Sequence, residues 1–215
     1  MVYLPDHFAE LDREALRWLI VGQPLATLVT VGPHGIAANH IPMLLDSNRG
    51  EFGTLIGHVA RNNDLWRDGY HEGESLAVFG AAEAYISPNW YASKAETHEV
   101  VPTWNYAVVH AYGRLIIHDD ENWIRGVVGR LTKTMESSQP VPWKMADAPA
   151  DYIRGMLGNI VGIEIPVSRM IGKWKVSQNR SDADRASASV GLRSTGDPGD
   201  AEMADLVEVC EDRIS

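Results

Sequence analysis

Three apolar, β-branched runs follow one another closely in the first third of the chain, and they constrain its fold more than any other feature. The runs PLATLVTV (24–31) and IAANHIPMLL (36–45) flank the turn GPHG, and TLIGHV (54–59) follows a second turn. Apolar runs separated by Gly and Pro are typical of β-hairpins. Successive hairpins predict a barrel or a meander. Amphipathic helices are predicted over residues 10–21, 119–136 and 147–160, and Asp119 and Asp120 are the two candidate N-caps of the second helix. The chain is therefore expected to be an α+β protein.

The stretch YISPNWYASKAETHEVVPTWNY (85–106) places aromatic side chains, a lysine and amides between two predicted strands. Trp104 offers a flat apolar face, Lys94 a positive charge for phosphate, and Asn105 donors and an acceptor for a heterocycle edge. The pattern favours a functional loop that holds a planar, phosphorylated cofactor. A packed aromatic corner of the core is the alternative.

Two further places combine polar side chains with the end of a strand. Asn39 and His40 interrupt an apolar strand just before Pro42, so they either hydrogen-bond to other protein groups or face a ligand. Arg61 follows the strand that ends at His58, where ARNNDLWRD predicts the start of a helix. A helix N-terminus with an arginine beside it is a suitable phosphate site.

The segment VGIEIPVSRMIGKWKVSQNR (161–180) predicts two short strands around Gly172, followed by a polar cluster. Lys175 and Gln178 belong to that cluster. Lysines at such a position either contribute to a ligand site or protect an edge strand from aggregation. The residues alone leave both interpretations open.

Negative charge is concentrated towards the C-terminus. The formal net charge is −10, of which residues 181–215 carry −6 and residues 1–180 carry −4. We predict one domain over residues 1–192 and a largely disordered acidic tail over 193–215, with a candidate short helix over 201–210. Because nucleic-acid binders need a cationic surface to neutralise phosphates, this charge weighs against direct DNA binding.

Several classes of protein are excluded or disfavoured by what the chain lacks. Cys210 is the one cysteine, so an intrachain disulfide and a cysteine metal cluster are excluded, and a reducing cytoplasm is expected. No run approaches the ~18 consecutive apolar residues of a membrane span. No common catalytic motif or Gly-rich nucleotide motif is present, and no catalytic residue is assigned.

Several long motifs occur in order along the chain. The strongest are SPNWYASKAE (87–96) and VVPTWNYAVVHAYGRL (100–115). The others are YLPDHFAE, PLATLVT, ANHIPMLLD, GHVARNNDLWR, DAPADYI, VGIEIPVSRMIGKWKVSQNR and DADRA. Together they resemble the PaiB-type FMN-binding negative transcriptional regulators. The resemblance extends over residues 3–192 and departs from the family pattern at Ala92, His98 and Glu99.

The resemblance implies a split β-barrel related to pyridoxamine-phosphate oxidase, with peripheral helices, and a homodimer with FMN at the subunit interface. The residues that it implies as cofactor-binding are Asn39, His40, His58, Val59, Arg61, Asn62, Tyr91, Ser93, Lys94, Thr103, Trp104, Asn105, Lys175 and Gln178. Relatives of the family bind haem, and in that alternative His40 would be the iron ligand. No other metal site is expected.

Two functions follow from the resemblance, and the sequence leaves both open. One is an FMN-binding transcriptional regulator, redox-active through its flavin. The other is an oxidoreductase that takes hydride from NAD(P)H and passes electrons to free flavin or another acceptor. Because the chain has no Gly-rich dinucleotide motif, NAD(P)H would have to dock against the bound flavin.

Overall fold

The computed structural model describes residues 2–67, 70 and 72–209, which contain nine β-strands and six α-helices. The strands are β1 (Ala9–Glu10), β2 (Leu25–Gly32), β3 (Gly35–Pro42), β4 (Leu44–Asp46), β5 (Thr54–Ala60), β6 (Glu74–Ile86), β7 (Thr103–Arg114), β8 (Ile116–His118) and β9 (Ile160–Lys175). The helices are α1 (Arg13–Gly22), α2 (Lys94–Thr97), α3 (Glu121–Met135), α4 (Ala150–Gly158), α5 (Asp182–Ser194) and α6 (Pro198–Val209).

The strands follow the order β3-β2-β6-β7-β9-β5-β4, and β1 and β8 also pair with β9. The predicted first hairpin is confirmed: β2 and β3 pair antiparallel from Leu25 opposite Pro42 to Gly32 opposite Gly35. The third predicted strand is β5, which pairs antiparallel with both β4 and β9. The apolar runs therefore predicted these strands correctly, except that the run 36–45 is divided into β3 and β4.

The chain forms two compact units. The first unit comprises Met1–Leu16, Gly80–Val109 and Ile171–Ser215, and the second comprises Arg17–Phe79 and His110–Met170. Because their residues fall on both sides of these boundaries, α1, β6, β7 and β9 contribute to both units.

In the second unit, α3 covers strand β5, and α4 packs against α3. The buried side chains of Val127 and Leu131 on α3 pack with Ile56 of β5. Ile153 on α4 packs with Ile124 of α3 in a neighbouring cluster. Asp120, predicted as one of two candidate N-caps of α3, accepts a hydrogen bond from the backbone N–H of Trp123 at 2.7 Å. These helices have the amphipathic pattern that the sequence predicted.

In the first unit, α5 and α6 pack around part of the central aromatic stretch. The buried members of this cluster are Ala84, Ile86, Tyr91, Val176, Ala188, Leu192, Met203, Ala204 and Val207. Asp205 and Glu208 of α6 accept hydrogen bonds from Arg193 of α5 at 2.6 and 2.8 Å. The two helices thus share an apolar interface bordered by ion pairs.

The prediction of a largely disordered tail over 193–215 is wrong for α6. This helix runs from Pro198 to Val209, and its Met203 and Val207 side chains are fully buried. The candidate short helix over 201–210 corresponds to part of α6, although residue 210 lies outside the described residues. The acidic composition of this segment did not indicate that Met203, Ala204 and Val207 are buried against α5.

Two other local predictions are wrong. After Arg61 the chain forms a three-residue 3-10 helix, Asp64–Trp66, instead of an α-helix. The two short strands predicted around Gly172 are one strand, β9. A Cβ atom at Gly172 would lie 2.2 Å from Leu16 Cδ2 and 3.0 Å from the carbonyl oxygen of Glu10. Glycine is therefore needed there for close packing against α1 and β1, not for a break between strands.

Candidate functional site

The residues predicted to bind a cofactor fall into two groups, one in each compact unit. The second unit contains Asn39, His40, His58, Val59, Arg61 and Asn62, and the first contains Tyr91, Ser93, Lys94, Thr103, Trp104, Asn105, Lys175 and Gln178. The group in the second unit lies on β3 and at the end of β5. The group in the first unit lies around α2, on β7 and at the end of β9.

A cleft of about 300 Å³ lies in the second unit beside the ends of β3 and β5. Its lining consists of Asn39, His40, Ile41, Pro42, His58, Val59, Ala60, Asn63 and Ile160. Among the described strands β3 pairs only with β2, so the backbone of its other edge has no strand partner. The cleft volume reaches the lower end of the roughly 300–1,000 Å³ range of small-molecule sites.

His58 is a half-buried imidazole in this lining. Its Nδ1 is buried and has no hydrogen-bond partner within the described residues. Burial lowers the pKa of His58 below the ordinary value of 6.5, because the charged form loses its hydration. The side chain is therefore neutral at pH 7, and one ring nitrogen donates while the other accepts.

We expect the stability of the ligand-free protein to fall on acidification as the pH drops below 6.5, since unfolding frees His58 to take up a proton. The folded-state pKa is the lower one, so the contribution is fully present above the unfolded value and is lost at acid pH. Urea unfolding at pH 8 and pH 5 measures the effect. A His58→Gln variant should show a smaller loss between the two pH values than the wild type, and equal losses would contradict the assignment.

Asn63 connects the cleft lining to the chain that leaves β5. Its Nδ2 donates to Asn39 Oδ1 at 2.7 Å, and its Oδ1 accepts from the backbone N–H of Leu65 at 2.9 Å. Asn63 therefore caps the short 3-10 helix while it orients the Asn39 amide. Asn39 has this partner within the protein, as one of the two interpretations predicted, and it also lines the cleft.

Arg61 is engaged by protein groups. Its guanidinium donates to both carboxylate oxygens of Asp119, at 3.0 and 2.5 Å, and to the carbonyl oxygens of Gly158 at 2.7 Å and Ile160 at 3.2 Å. The hydrogen bond with Arg61 lowers the pKa of the Asp119 carboxyl. No α-helix begins here, so the helix-terminus argument for a phosphate site does not hold. Asn62, the next residue, is exposed.

In the first unit, Lys175 is bound to two of the other predicted site residues. Its ammonium donates to Thr103 Oγ1 at 2.5 Å and to the carbonyl oxygen of Trp104. The pKa of Lys175 is lowered, first by burial and then by the positive charges of Lys173 and Arg180. Lys175, Thr103 and Trp104 thus come together although 72 residues separate Thr103 from Lys175.

Asn105 and Gln178 shape the turn that follows β9. Asn105 is buried and its Nδ2 donates to Ser177 Oγ at 2.9 Å. Gln178 accepts from the backbone N–H of Val176 at 2.8 Å and donates to the carbonyl oxygen of Trp174. Ser177 has a φ of 67°, in the left-handed region that non-glycine residues seldom occupy. Both amides thus have protein partners that hold this turn.

Ser93 and Lys94 also have partners close by. The backbone N–H and the hydroxyl of Ser93 both donate to the buried carboxylate of Asp184 at 2.8 Å. Lys94 begins the four-residue helix α2, and its ammonium donates to Asn89 Oδ1. Tyr91 is buried, and its hydroxyl has no hydrogen-bond partner within the described residues.

Trp104 and Tyr85 are the exposed aromatic residues of the central stretch. The Trp104 side chain is 56% exposed, and its ring meets that of Tyr85, which is 46% exposed, edge to face at 6.0 Å. Most large aromatic side chains are buried in folded proteins, so this exposed pair is a candidate binding surface.

Several residues at these places were not predicted as site residues. Ala60, Asn63 and Ile160 line the cleft, while Asp119 and Asp184 hold Arg61 and Ser93. Asn63 follows Asn62 directly in the matching motif, so its position could have identified it. Asp119 and Asp184 lie 58 and 91 residues from their partners, and no local pattern relates them.

The fold is similar to that of a solved structure described as the FAD and heme binding protein from Mycobacterium smegmatis. The TM-score is 0.58 at 17% identity, and the match covers 83% of this chain and 78% of the other. The architecture is the α+β split β-barrel with peripheral helices, as the sequence predicted. In the part of the chain that the structure describes, no helix is long and apolar enough to cross a membrane.

Residues 2–169 match the family described as "Putative FMN-binding domain". The protease synthase and sporulation protein PAI 2 of Bacillus subtilis is 28% identical, over 96% of this chain and 97% of its own. An uncharacterised protein of Emericella nidulans is 30% identical, over 96% of each chain. This chain belongs to the PaiB-type FMN-binding family, a family of flavin-binding proteins.

Proposed function

We propose that this protein binds FMN and is redox-active through it. The observation that carries the proposal is the cleft at Asn39 and His58, where an imidazole and an amide stand beside an unpaired strand edge in a chain of an FMN-binding family. A flavin ring system has flat apolar faces and one edge of alternating carbonyl and N–H groups. A neutral imidazole, an amide and backbone groups match such an edge.

Bound FMN would supply the redox chemistry by accepting and passing on reducing equivalents, and the protein would bind and orient it. His58 stays neutral, so it can hydrogen-bond to the ring edge without placing a full charge there. Asn39 is held in one orientation by Asn63, which lowers the entropic cost of ordering its amide on binding. Val59 and Ile41 provide apolar contact beside these polar groups.

The absorption spectrum of the purified protein is the first test. We expect flavin bands, with FMN released on denaturation. The M. smegmatis protein is named for FAD and heme together. A Soret band would therefore favour haem with His40 as the ligand. Release of FAD would show that the bound flavin is FAD and not FMN. A protein that stays colourless after incubation with FMN would contradict the proposal.

The second test distinguishes an NAD(P)H-dependent oxidoreductase from a transcriptional regulator. Addition of NADH or NADPH without oxygen should bleach the bound flavin, and free flavin or oxygen should restore its colour. The formal net charge of −4 over residues 1–180 makes direct DNA binding unfavourable. Sequence-specific DNA binding at physiological salt, without reduction of the flavin by either nucleotide, would favour the regulator over the oxidoreductase.

Arg61 contributes to FMN binding only if a phosphate can replace its carboxylate partner. We expect Arg61→Ala to weaken FMN binding by roughly tenfold, the usual effect of losing one charged hydrogen-bond partner. Asp119→Asn is the matched variant, since it frees the guanidinium and should strengthen FMN binding. Fluorescence titration measures both, and unchanged affinity in both variants would limit Arg61 to its structural ion pair.

We also propose a C₂ homodimer, the commonest symmetric assembly. The exposed pair formed by Trp104 and Tyr85 supplies apolar surface for it. Light scattering at micromolar concentration should give a dimer, and Trp104→Asp should shift it towards monomer. Trp143, which is 43% exposed, provides the matched control Trp143→Asp. A monomeric wild type would refute this assembly.

A further inference from the structure

Three cations lie at the end of β9 and in the turn after it. They are Lys173, Lys175 and Arg180, all half-buried. In the part of the chain that the structure describes, none of them forms an ion pair with a carboxylate. By contrast, Arg49, Arg61 and Arg193 each have an acidic partner. The cluster therefore carries uncompensated positive charge in a protein whose net charge is −10.

The partners of these cations are neutral. Lys175 donates to Thr103 and Trp104, and Lys173 donates to the carbonyl oxygen of Tyr3 at 3.1 Å. The Arg180 guanidinium lies 4.6 Å from the centre of the Tyr91 ring. Such contacts orient a cation without neutralising it. The charges are close enough that Lys173 and Arg180 both lower the pKa of Lys175.

The turn that carries Arg180 is held by specific hydrogen bonds. Ser177 has positive φ and accepts from Asn105, and its carbonyl oxygen accepts from the backbone N–H of Arg180 at 2.9 Å. A non-glycine residue in this conformation costs about 1–3 kcal/mol and persists where surrounding contacts impose it. The chain thus accepts both backbone strain and charge repulsion at one place, which is typical of a ligand site.

We propose that Lys173, Lys175 and Arg180 form the binding site for a phosphate monoester. A dianionic phosphate would offset the repulsion between the three cations, and the guanidinium can contact two phosphate oxygens at once. The Tyr106 ring lies 5.3 Å from the Lys173 ammonium, while the Lys175 ammonium donates to the backbone carbonyl oxygen of Trp104. The Tyr106 ring suits a ligand that carries a planar group beside its phosphate.

This inference deepens the proposed function if the phosphate is that of FMN, and that part rests on the proposal of FMN binding. Arg61, predicted earlier for the phosphate, is already paired with the Asp119 carboxylate, and comparison of Arg61→Ala with the double variant described below decides which cations bind the phosphate of FMN. The same chemistry would also suit the 2′-phosphate of NADPH or free inorganic phosphate. The experiment therefore compares ligands with and without the phosphate group.

The test uses the full chain and a Lys175→Gln/Arg180→Gln double variant. FMN and riboflavin are titrated by fluorescence, and NADPH and NADH by the rate of flavin reduction. The matched control is Lys144→Gln/Arg154→Gln, which removes two exposed cations of the second unit. We expect the FMN-to-riboflavin affinity ratio to fall at least tenfold in the double variant and to stay constant in the control.

Inorganic phosphate gives a measurement that needs no variant. At matched ionic strength, phosphate should raise the melting temperature of the wild type more than chloride does. It should also weaken the binding of FMN but not of riboflavin. If the double variant fails to fold, Lys173→Gln and this competition still decide the question.

Each outcome supports or overturns the site. An unchanged FMN ratio with a lost preference for NADPH over NADH supports the site and assigns the phosphate to the nucleotide. Stabilisation by phosphate in a protein that binds no flavin supports the site while it refutes the proposed function. The protein could instead bind flavin while neither the variants nor inorganic phosphate change the FMN-to-riboflavin affinity ratio or the preference for NADPH over NADH. That result overturns the site and leaves the proposed function standing.

Discussion

Replacement of Arg49 by alanine is expected to destabilise the fold by about 2–3 kcal/mol, because it leaves a buried carboxylate without its ion-pair partner. Glu164 on β9 is 5% exposed, and its carboxylate accepts two hydrogen bonds from the Arg49 guanidinium at 2.7 and 3.1 Å. His118 lies 3.3 Å from the same carboxylate. The expected loss is below the ~3–5 kcal/mol of a fully buried pair, since the Arg49 side chain is 45% exposed.

Urea unfolding of wild type, Arg49→Ala and Arg49→Ala/Glu164→Gln measures this effect. The glutamine keeps the shape of Glu164 without its charge, so the double variant should recover part of the lost stability. Arg125→Ala, which removes an exposed pair with Glu121, should change the free energy of unfolding by less than about 1 kcal/mol. Equal effects of Arg49→Ala and Arg125→Ala would show that the buried carboxylate does not depend on Arg49.

The second large effect concerns helix α6, where a disordered tail was predicted. Met203→Ala should cost about 2–4 kcal/mol, because it removes a fully buried side chain and leaves a cavity between α6 and its neighbours. Val207→Ala should cost less, since fewer atoms are removed. Urea unfolding at pH 7 measures both free energies.

Val209→Ala provides the matched control on the same helix. Val209 is 53% exposed, whereas Val207 is 1% exposed. The exposed substitution should stay within about 0.5 kcal/mol of the wild type. If both valine variants and Met203→Ala left stability unchanged, α6 would not be part of the cooperative fold in solution.

Much of the second unit follows from local pattern. The β2–β3 hairpin and strand β5 lie where the apolar runs and turns placed them. Helix α3 begins after one of its two predicted caps, Asp120, because an aspartate before an amphipathic run satisfies a free N–H group at the helix start. The cleft also lies at Asn39 and His58, two residues that the family motifs indicated.

Partnerships between distant residues did not follow from pattern. Arg61 faces Asp119, and Lys175 faces Thr103, at separations of 58 and 72 residues. The tertiary fold brings these residues into contact. A single sequence does not show which charged or polar group will lie beside another. The sequence could therefore name Arg61 as a cation at a strand end, but not show that a carboxylate already engages it.

The sequence by itself determined the α+β class, the succession of hairpins and the family, because period, turn chemistry and long ordered motifs are local properties of the chain. Only the tertiary structure decided that the acidic C-terminal region forms α6. Its composition predicts disorder when hydrophobicity and charge are averaged over the segment. Met203, Ala204 and Val207 nevertheless lie on one helical face, and burial against a matching face supplies the free energy that the average conceals.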